Sequence, residues 1–447
     1  MRLAVNSPNL RQTQGDSFAQ SRWRRENSLP LEAGYDVARR KGVMGRLPLE
    51  LARAGNLDEF DADPLGFLAR TRAALGDMFV VREGGPIFSR TADCAGTVAV
   101  FGVAGQRAVL SDIETFHLPV SAARQLALPP RVANLTCGLH TMRGQQHAAH
   151  KRVLTGVLGD GFARHAGAVW AALEAFTARW RPGDEIDLLD TMRRLALSLS
   201  SAVLFGDRPG DGVAIASLAE VYFQLRREVS APWAAAGAAG RQALVAVGRP
   251  LDESLRSYVR QRRREAGATP PTGILARLAW ARTGAGELLD EAAVVGHANV
   301  LLVSTTEPIA VALTWILLVL SQLPDLRARL RRRALDHPAA SSRPAPVRSA
   351  RADLLESVIA ECLRLLPPNA MMTRVTARPA QLLDVSLPEG YEIILCPFVA
   401  HRDPATFRPM RFLPARWHGA RPSPFAYLAF GAGGHSCVGR SLAGHLI

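Results

Sequence analysis

The chain has 447 residues, of which 48% are hydrophobic and 6% aromatic, and its 54 Lys and Arg against 40 Asp and Glu give a formal net charge of +14. No aromatic-and-basic motif accompanies the arginine clusters, so we expect solvated basic surfaces and no nucleic-acid partner. Five cysteines without a CxxC pair argue against a disulfide framework or a structural zinc site, and they favour a reduced, cytoplasmic protein.

The N-terminal part of the chain is polar before patterned elements begin. Residues 1–45 lack the apolar core of a signal peptide, and we expect a disordered extension followed by one domain over 46–447. A helix leading into a strand is predicted within DPLGFLARTRAALGDMFVV, residues 63–81. Two short strands are predicted within TVAVFGV and QRAVLSD, at 97–103 and 106–112.

Helices dominate the middle of the chain. Apolar residues recur at i, i+3 and i+4 from about 140 to 330, and the longest such segment predicts a buried helix over 291–322. Its unbroken apolar run, 309–320, is shorter than the roughly 20 residues that cross a bilayer, so we expect no membrane span. A later helix within DLLESVIAECLRLL ends before a Pro-Pro pair, and short strands follow it. The predicted fold class is therefore mainly α with small β-sheets.

The segment FAYLAFGAGGHSCVGRSLAGHLI, at 425–447, places a cysteine between glycines. Gly433 precedes Cys437 and Gly439 follows it, so the backbone can approach whatever the sulfur binds. A helix predicted to begin here favours the thiolate through its macrodipole. Three hypotheses remain open: a dinucleotide loop, in which Ser436 stands where the last glycine belongs; a cysteine nucleophile with His435 as base; and a thiolate ligand of haem iron.

A longer pattern resembles the cytochrome P450 superfamily. Its FxxGx(R/H)xCxG signature is matched by Phe430, Gly433, His435, Cys437 and Gly439. Other motifs follow in the family's order: GQQHAAHKRVL resembles its (W/H)xxxR helix, ECLR supplies its ExxR pair, and PMRF at 409–412 resembles its PxRF motif. The chain is similar to soluble, bacterial-type haem-thiolate monooxygenases, and this resemblance implies the P450 fold.

The resemblance also implies a cofactor, haem b (iron protoporphyrin IX), and residues that hold it. It makes Cys437 the thiolate ligand of the iron and Phe430 the ring that shields the sulfur. The groups implied to bind the haem propionates are His435, His147, Lys151 and Arg374. Lys151 stands where arginine is usual and so replaces a bidentate group with a point charge. A buried ion-pair cluster of structural importance is implied for Glu361, Arg364 and Arg411.

The helix over 291–322 resembles the family's distal helix, which crosses the haem on the oxygen side. Counted back from Trp315, the family's (A/G)Gx(D/E)T(T/S) motif falls on STTEPI, residues 304–309. Glu307 keeps the acid, Pro308 replaces the threonine that helps to deliver protons, and Ser304 and Thr305 replace small residues. Pro308 is expected to keep the helix locally open. Either Ser304 or a water supplies the lost hydrogen bond, or the enzyme does not need the usual proton relay.

The chain ends at Ile447, shortly after Cys437, where the family continues with a long helix and a closing hairpin. We therefore expect a P450 fold that lacks most of that helix and the hairpin. The implied function is a monooxygenase that oxidises a small organic molecule, a secondary metabolite, with electrons from a separate ferredoxin or flavodoxin. The alternatives are a peroxide-using or radical-coupling P450, or a degenerate P450-like scaffold without oxygen chemistry.

Overall fold

A computed structural model describes residues 51–55, 57–89, 91, 94–119, 127–159, 161–206, 209–229, 238–265, 272–336, 354–408, 410–419 and 421–447. The predicted extension over 1–45 lies outside these residues. All elements named below belong to one compact unit, which comprises Gly45–Arg179 and Asp187–Ile447. The expectation of a single domain over 46–447 stays a prediction.

Helices account for most of the described residues. In chain order they are α1 Leu57–Ala62, α2 Pro64–Leu75, α3 Gly102–Ser111, α4 Pro130–Asn134, α5 Gly144–Leu158, α6 Gly161–Thr177, α7 Leu188–Phe205, α8 Pro209–Val229, α9 Ala238–Arg264, α10 Ile274–Ala279, α11 Glu291–Gln322, α12 Pro324–Asp336, α13 Leu354–Leu365, α14 Pro397–Ala400 and α15 Arg440–Leu446. Short 3-10 turns lie at Leu139–Thr141, Pro414–His418 and Gly433–His435. The mainly helical fold class is confirmed.

Acidic side chains cap several of these helices. The carboxylate of Asp63 accepts from the backbone N–H of Gly66 at 2.9 Å, with Pro64 in the first helical position. Asp290 accepts from the N–H of Ala292 at 3.0 Å at the start of α11. Such caps satisfy N–H groups that a helix N-terminus leaves unpaired, and each contributes about 1 kcal/mol.

The strands form two small sheets. They are β1 Met78–Glu83, β2 Gly96–Val100, β3 Phe116–His117, β4 Met372–Thr376, β5 Ala380–Leu382, β6 Val385–Leu387 and β7 Glu392–Leu395. The larger sheet has the order β1-β2-β7-β4-β3, with β2 and β7 parallel and its other pairs antiparallel, while β5 and β6 form a separate antiparallel pair. Strands from both ends of the chain therefore meet in one sheet.

One strand prediction is wrong. Residues 106–112, expected as a strand, lie mostly in helix α3. The buried members of α3 are Gly105, Gln106, Val109 and Leu110, which share one face at helical spacing. The short apolar run AVL fits either element, and only the packing of this face against the sheet decides between them.

Helix α11 is the central element of the core. Its predicted bounds, 291–322, are confirmed, and its buried residues pack mainly against α7, with further contacts to α8 and α9. Among the described residues it is the one helix long and apolar enough, by length and composition alone, to cross a membrane. Its buried Thr305 donates to the carbonyl oxygen of Leu301 at 2.8 Å and its buried Thr306 to that of Leu302 at 2.8 Å, which satisfies both hydroxyls inside the protein.

A buried ion-pair cluster ties α13 to the segment that precedes the cysteine loop. Glu361 and Arg364, both fully buried, form a bidentate pair with N–O distances of 2.8 and 2.9 Å. The second cation is Arg416, 3.4 Å from Glu361, and the indole N–H of Trp417 donates to Glu361 at 3.0 Å. The expectation that Arg411 completes the cluster is wrong, because its side chain is exposed and only its carbonyl oxygen accepts from Arg364, at 3.5 Å.

Two similar tetrapeptides explain why Arg411 was expected in place of Arg416. PMRF at 409–412 and PARW at 414–417 both place an arginine two residues after a proline, and spacing alone does not distinguish them. Pro409 lies outside the described residues. The segment 414–417 packs against α13, which brings its arginine and tryptophan to the carboxylate of Glu361.

Candidate functional site

The loop around Cys437 is held by backbone contacts. The N–H of Cys437 donates to the carbonyl oxygen of Phe430 at 2.9 Å, and the Arg440 guanidinium lies 5.3 Å from the centre of the Phe430 ring. Gly433 has φ +66°, and a Cβ there would collide with the carbonyl oxygen of Leu110 at the end of α3. Only glycine therefore permits the loop to approach α3. A Cβ at Gly439 would lie 3.8 Å from the sulfur of Cys437, an ordinary contact, so the described residues do not require glycine there.

Opposing effects act on the thiol of Cys437. Burial raises the pKa of the Cys437 thiol, and the Gly439 N–H and the charges of Arg440 and Lys151 only partly oppose that rise. Part of the residue is nevertheless exposed. The preference for thiolate at the helix start stays a prediction, and the Gly439 N–H acts in its direction. Binding to a metal cation would outweigh the effect of burial, because a coordinating thiol is deprotonated.

The four groups expected to hold propionates lie in one region. The rings of His147 and His435 are 4.5 Å apart in an edge-to-face arrangement. Lys151, one turn along α5, donates to the carbonyl oxygen of Gly434 at 2.5 Å and to the hydroxyl of Ser436 at 3.1 Å. Arg374, on β4, is almost fully buried and lowers the pKa of His435 by its charge.

Two cations of this site, Lys151 and Arg374, have no carboxylate partner among the described residues. Burial, and then the charges of Arg374, His147 and Lys151, lower the pKa of His435 to about 3. Burial lowers the pKa of Arg374 to about 10, with no acid opposing it. Glu114 raises the pKa of His147 but does not outweigh burial and Lys151, which lower it. Within the described part of the chain, the buried His147 Nε2 and Arg374 Nε have no hydrogen-bond partner.

Unpaired buried donors and uncompensated cations point to an anionic ligand, because burial without a partner is unfavourable. Two carboxylates beside a planar macrocycle, the chemistry of haem b, would satisfy both requirements, while Cys437 offers its sulfur from the exposed side of the loop. No cluster of three His, Cys, Asp or Glu among the described residues could hold a bare metal ion. The residues present therefore fit haem.

The distal motif lies in the middle of α11, with its residues on different faces. Ser304 is exposed and Pro308, one turn later, is half-buried, whereas Thr305 is buried toward α7. The backbone stays helical through Pro308, so the expected opening does not interrupt the helix. Its effect is confined to hydrogen bonding, because Pro308 has no N–H to offer the carbonyl oxygen of Ser304.

Glu307 is engaged by two arginines that the sequence did not reveal. Arg193 on α7 forms a bidentate pair with its carboxylate, at 2.7 and 3.0 Å, and Arg227 on α8 lies 3.8 Å from it. The hydrogen bonds that Arg193 donates to Glu307 raise the pKa of Arg193. The acid is thus held toward α7 and α8. No motif spacing links residues 193 and 307, so only the packing of the helices reveals the pair.

A second contact that the sequence does not predict stabilises α11 beside Pro308. The hydroxyl of Ser200, buried on α7, donates to the carbonyl oxygen of Thr305 at 2.7 Å. This side-chain donor lies beside the carbonyl that Pro308 leaves without a helical partner. Ser200 therefore stabilises the turn in which the main-chain hydrogen-bond pattern is weakened.

Two further histidines connect α5 with α11. A nitrogen–nitrogen distance of 2.8 Å joins His150 Nδ1 to His297 Nε2. Burial lowers the pKa of His297 to about 4, and the charges of His150 and His140 act in the same direction. The imidazole pair is therefore neutral at pH 7 and links the helix of Lys151 to the helix of Ser304.

Comparison with known proteins decides the family. Residues 123–446 match the family model for cytochrome P450. The chain belongs to the cytochrome P450 family. Its fold resembles a retinoic acid-bound cyanobacterial CYP120A1, with a TM-score of 0.66 and 20% identity over 87% of this chain and 85% of that one.

Two curated P450 relatives differ in how much of their length is matched. Cyclooctat-9-en-7-ol 5-monooxygenase of Streptomyces melanosporofaciens is 28% identical over 72% of this chain and 74% of its own. Human mitochondrial 25-hydroxyvitamin D-1 alpha hydroxylase is 35% identical over 35% of this chain and 32% of its own. The chain thus spans about a third of the human relative. The family consists of haem-thiolate enzymes that use haem b, and these relatives are monooxygenases.

Proposed function

We propose that this P450 is a cytoplasmic haem-thiolate monooxygenase that oxidises an apolar secondary metabolite of the terpenoid kind. The observation that carries the proposal is the partly exposed Cys437 beside His147, His435 and two cations, Lys151 and Arg374, on which no carboxylate of the described residues acts. Bacterial terpene-oxidising relatives at low identity support the substrate class. The five cysteines, none in a disulfide, support a reducing compartment.

In this proposal the bound haem supplies oxygen activation, and the chain positions the reactants. Cys437 offers the thiolate, and Arg374, His147, His435 and Lys151 bind the propionates. On the distal side the hydroxyl of Ser304 donates or accepts a hydrogen bond on the exposed face of α11, one turn before Pro308. Glu307 holds a negative charge near that face, restrained by Arg193.

A separate electron donor completes the proposal. The chain's net charge of +14 favours an acidic ferredoxin or flavodoxin, which a basic surface attracts in a salt-dependent manner. Exposed arginines of α12, a helix with no buried residue, belong to that basic surface. Reduction by an added ferredoxin should slow as the ionic strength rises, because screening shortens the reach of surface charges.

The carbon monoxide difference spectrum of the reduced, haem-loaded protein tests the thiolate assignment. We expect the spectrum of thiolate-ligated haem in the wild type and in Cys94→Ala, which removes a buried thiol whose sulfur donates to the Gly96 carbonyl oxygen. Cys437→Ala should lose that spectrum. Retention of thiolate ligation in Cys437→Ala would refute the proposal.

A second candidate function follows from Pro308, which removes the usual distal hydroxyl. A P450 driven by peroxide, or one that couples radicals, does not need that proton relay. Product formed with a surrogate electron donor supports the monooxygenase, and product formed only with peroxide supports the alternative. Ser304→Ala should uncouple donor oxidation from product formation, whereas Ser321→Ala, a hydroxyl that donates to Leu318 in the same helix, should not. Unchanged coupling in Ser304→Ala would remove Ser304 from the mechanism.

A further inference from the structure

Arg226 occupies the last turn of α8, beside the distal site. The next residue, Arg227, reaches Glu307 of α11 at 3.8 Å. Arg226 itself is half-buried and lies 5.6 Å from the centre of the Phe223 ring. Its charge contributes, after burial, to the lowering of the pKa of His140 to about 4. His140 in turn acts on His435 in the candidate haem site. Arg226 therefore lies at the end of α8 that contacts the distal motif of α11 through Arg227.

No carboxylate of the described residues acts on this arginine. The hydrogen bonds and ion pairs of the described residues include none made by Arg226. Burial lowers its pKa, and only the ionisable Tyr222, one turn earlier, opposes the shift.

The chemistry of the guanidinium indicates which kind of partner Arg226 would bind. An arginine remains charged in proteins, so burial cannot be relieved by loss of a proton. The Phe223 ring offers a cation–π contact, which offsets only part of the lost hydration. A planar guanidinium instead binds a carboxylate through two parallel hydrogen bonds. The missing partner is therefore best supplied by a ligand that enters beside α8.

We propose that Arg226 binds the carboxylate of the substrate, so that this P450 oxidises an apolar organic acid. The proposal rests on the proposed function and narrows its substrate class. The apolar side chains around the anchor are Phe223 and the ring of Tyr222, whose hydroxyl donates to the carbonyl oxygen of Val132 at 3.3 Å. An acid held there extends its hydrocarbon part along α11, toward the face that carries Ser304.

Binding of matched probes to the haem-loaded protein tests the proposal. The probes are dodecanoic acid and abietic acid, each compared with its own methyl ester by calorimetry and by the haem absorption spectrum. We expect at least one acid to bind about tenfold or more tightly than its ester, as for a hydrogen-bonded charge pair. Arg226→Gln should reduce that ratio to about one, and Arg226→Lys should restore part of it.

Arg194→Gln is the matched control, because it removes one exposed arginine of α7, paired with Asp190, and changes the net charge equally. It should leave the acid preference unchanged. Equal binding of acid and ester, no binding of either pair, or a preference that survives Arg226→Gln would each overturn the proposal. A missing thiolate spectrum in the wild type would instead overturn the proposed function, because calorimetric binding does not depend on iron reduction.

Discussion

The ion-pair cluster at Glu361 gives a graded prediction about stability. Glu361 accepts from the Arg364 guanidinium at 2.8 and 2.9 Å, from the N–H of Leu413 at 2.9 Å and from the indole of Trp417 at 3.0 Å, with Arg416 at 3.4 Å. Arg364 also donates to the carbonyl oxygen of His401 at 2.8 Å. Glu361→Gln removes the single negative charge that faces two guanidiniums.

The expected magnitudes follow from burial. Removing one partner of a fully buried pair costs about 3–5 kcal/mol, so Glu361→Gln and Arg364→Met should both fall in that range. Arg416 retains 11% side-chain exposure and a longer contact, so Arg416→Met should cost about 1.5–3 kcal/mol. Arg411→Met should cost less than about 0.5 kcal/mol, because only the backbone of Arg411 joins the cluster.

Urea unfolding of the four variants, at one fixed haem concentration, measures these differences. Burial acts to raise the pKa of Glu361, but the Arg364 hydrogen bonds and the Leu413 N–H outweigh it and lower the pKa below the ordinary value of 4.5. The stabilising effect of Glu361 is therefore present above that pH and is lost as the pH falls through the lowered value. Loss of stability in Arg411→Met equal to that in Arg416→Met would refute the reasoning.

Three further predictions concern helix α11. Ser200→Ala should lower the free energy of unfolding by about 0.5–1.5 kcal/mol, since it removes the side-chain hydrogen bond to the carbonyl oxygen of Thr305, while Ser201→Ala, whose buried hydroxyl has no described partner, should be nearly neutral. Because burial keeps His297 neutral, unfolding free energy should fall between pH 6.5 and about 4, and His297→Gln should flatten that slope in urea titrations. Arg193→Gln should lower the free energy of unfolding by about 1 kcal/mol in urea titrations, because it removes the bidentate partner of Glu307.

Much of the architecture could be predicted because it depends on periodicity and on local motifs. The central helix at 291–322 was predicted to the residue, since a long apolar segment bounded by an acidic cap permits few alternatives. The glycine before Cys437 was also predictable, and its positive φ gives the physical reason. The strand expected at 106–112 was wrong because a three-residue apolar run satisfies both periodicities.

Long-range contacts of the candidate site could not be predicted. Arg193 and Glu307 are separated by 114 residues, and Ser200 and Thr305 by 105, so no pattern in the sequence relates them. Each contact depends on the crossing of α7 and α11, which local spacing does not determine. The mistaken Arg411 arose in the same way, since two similar tetrapeptides compete and only tertiary packing selects one.

The buried arginines differ in whether the chain supplies each of them with a counter-ion. Arg364 and Arg256 are buried or nearly so and have partners within the chain, Glu361 for the first and Asp252 with Glu291 for the second. Arg374 is almost fully buried and Arg226 is half-buried, and neither has an ion-pair partner among the described residues. Since desolvation opposes a buried charge, the stability of the fold explains only the paired arginines. For the two unpaired arginines we propose anionic ligands, a haem propionate for Arg374 and a substrate carboxylate for Arg226.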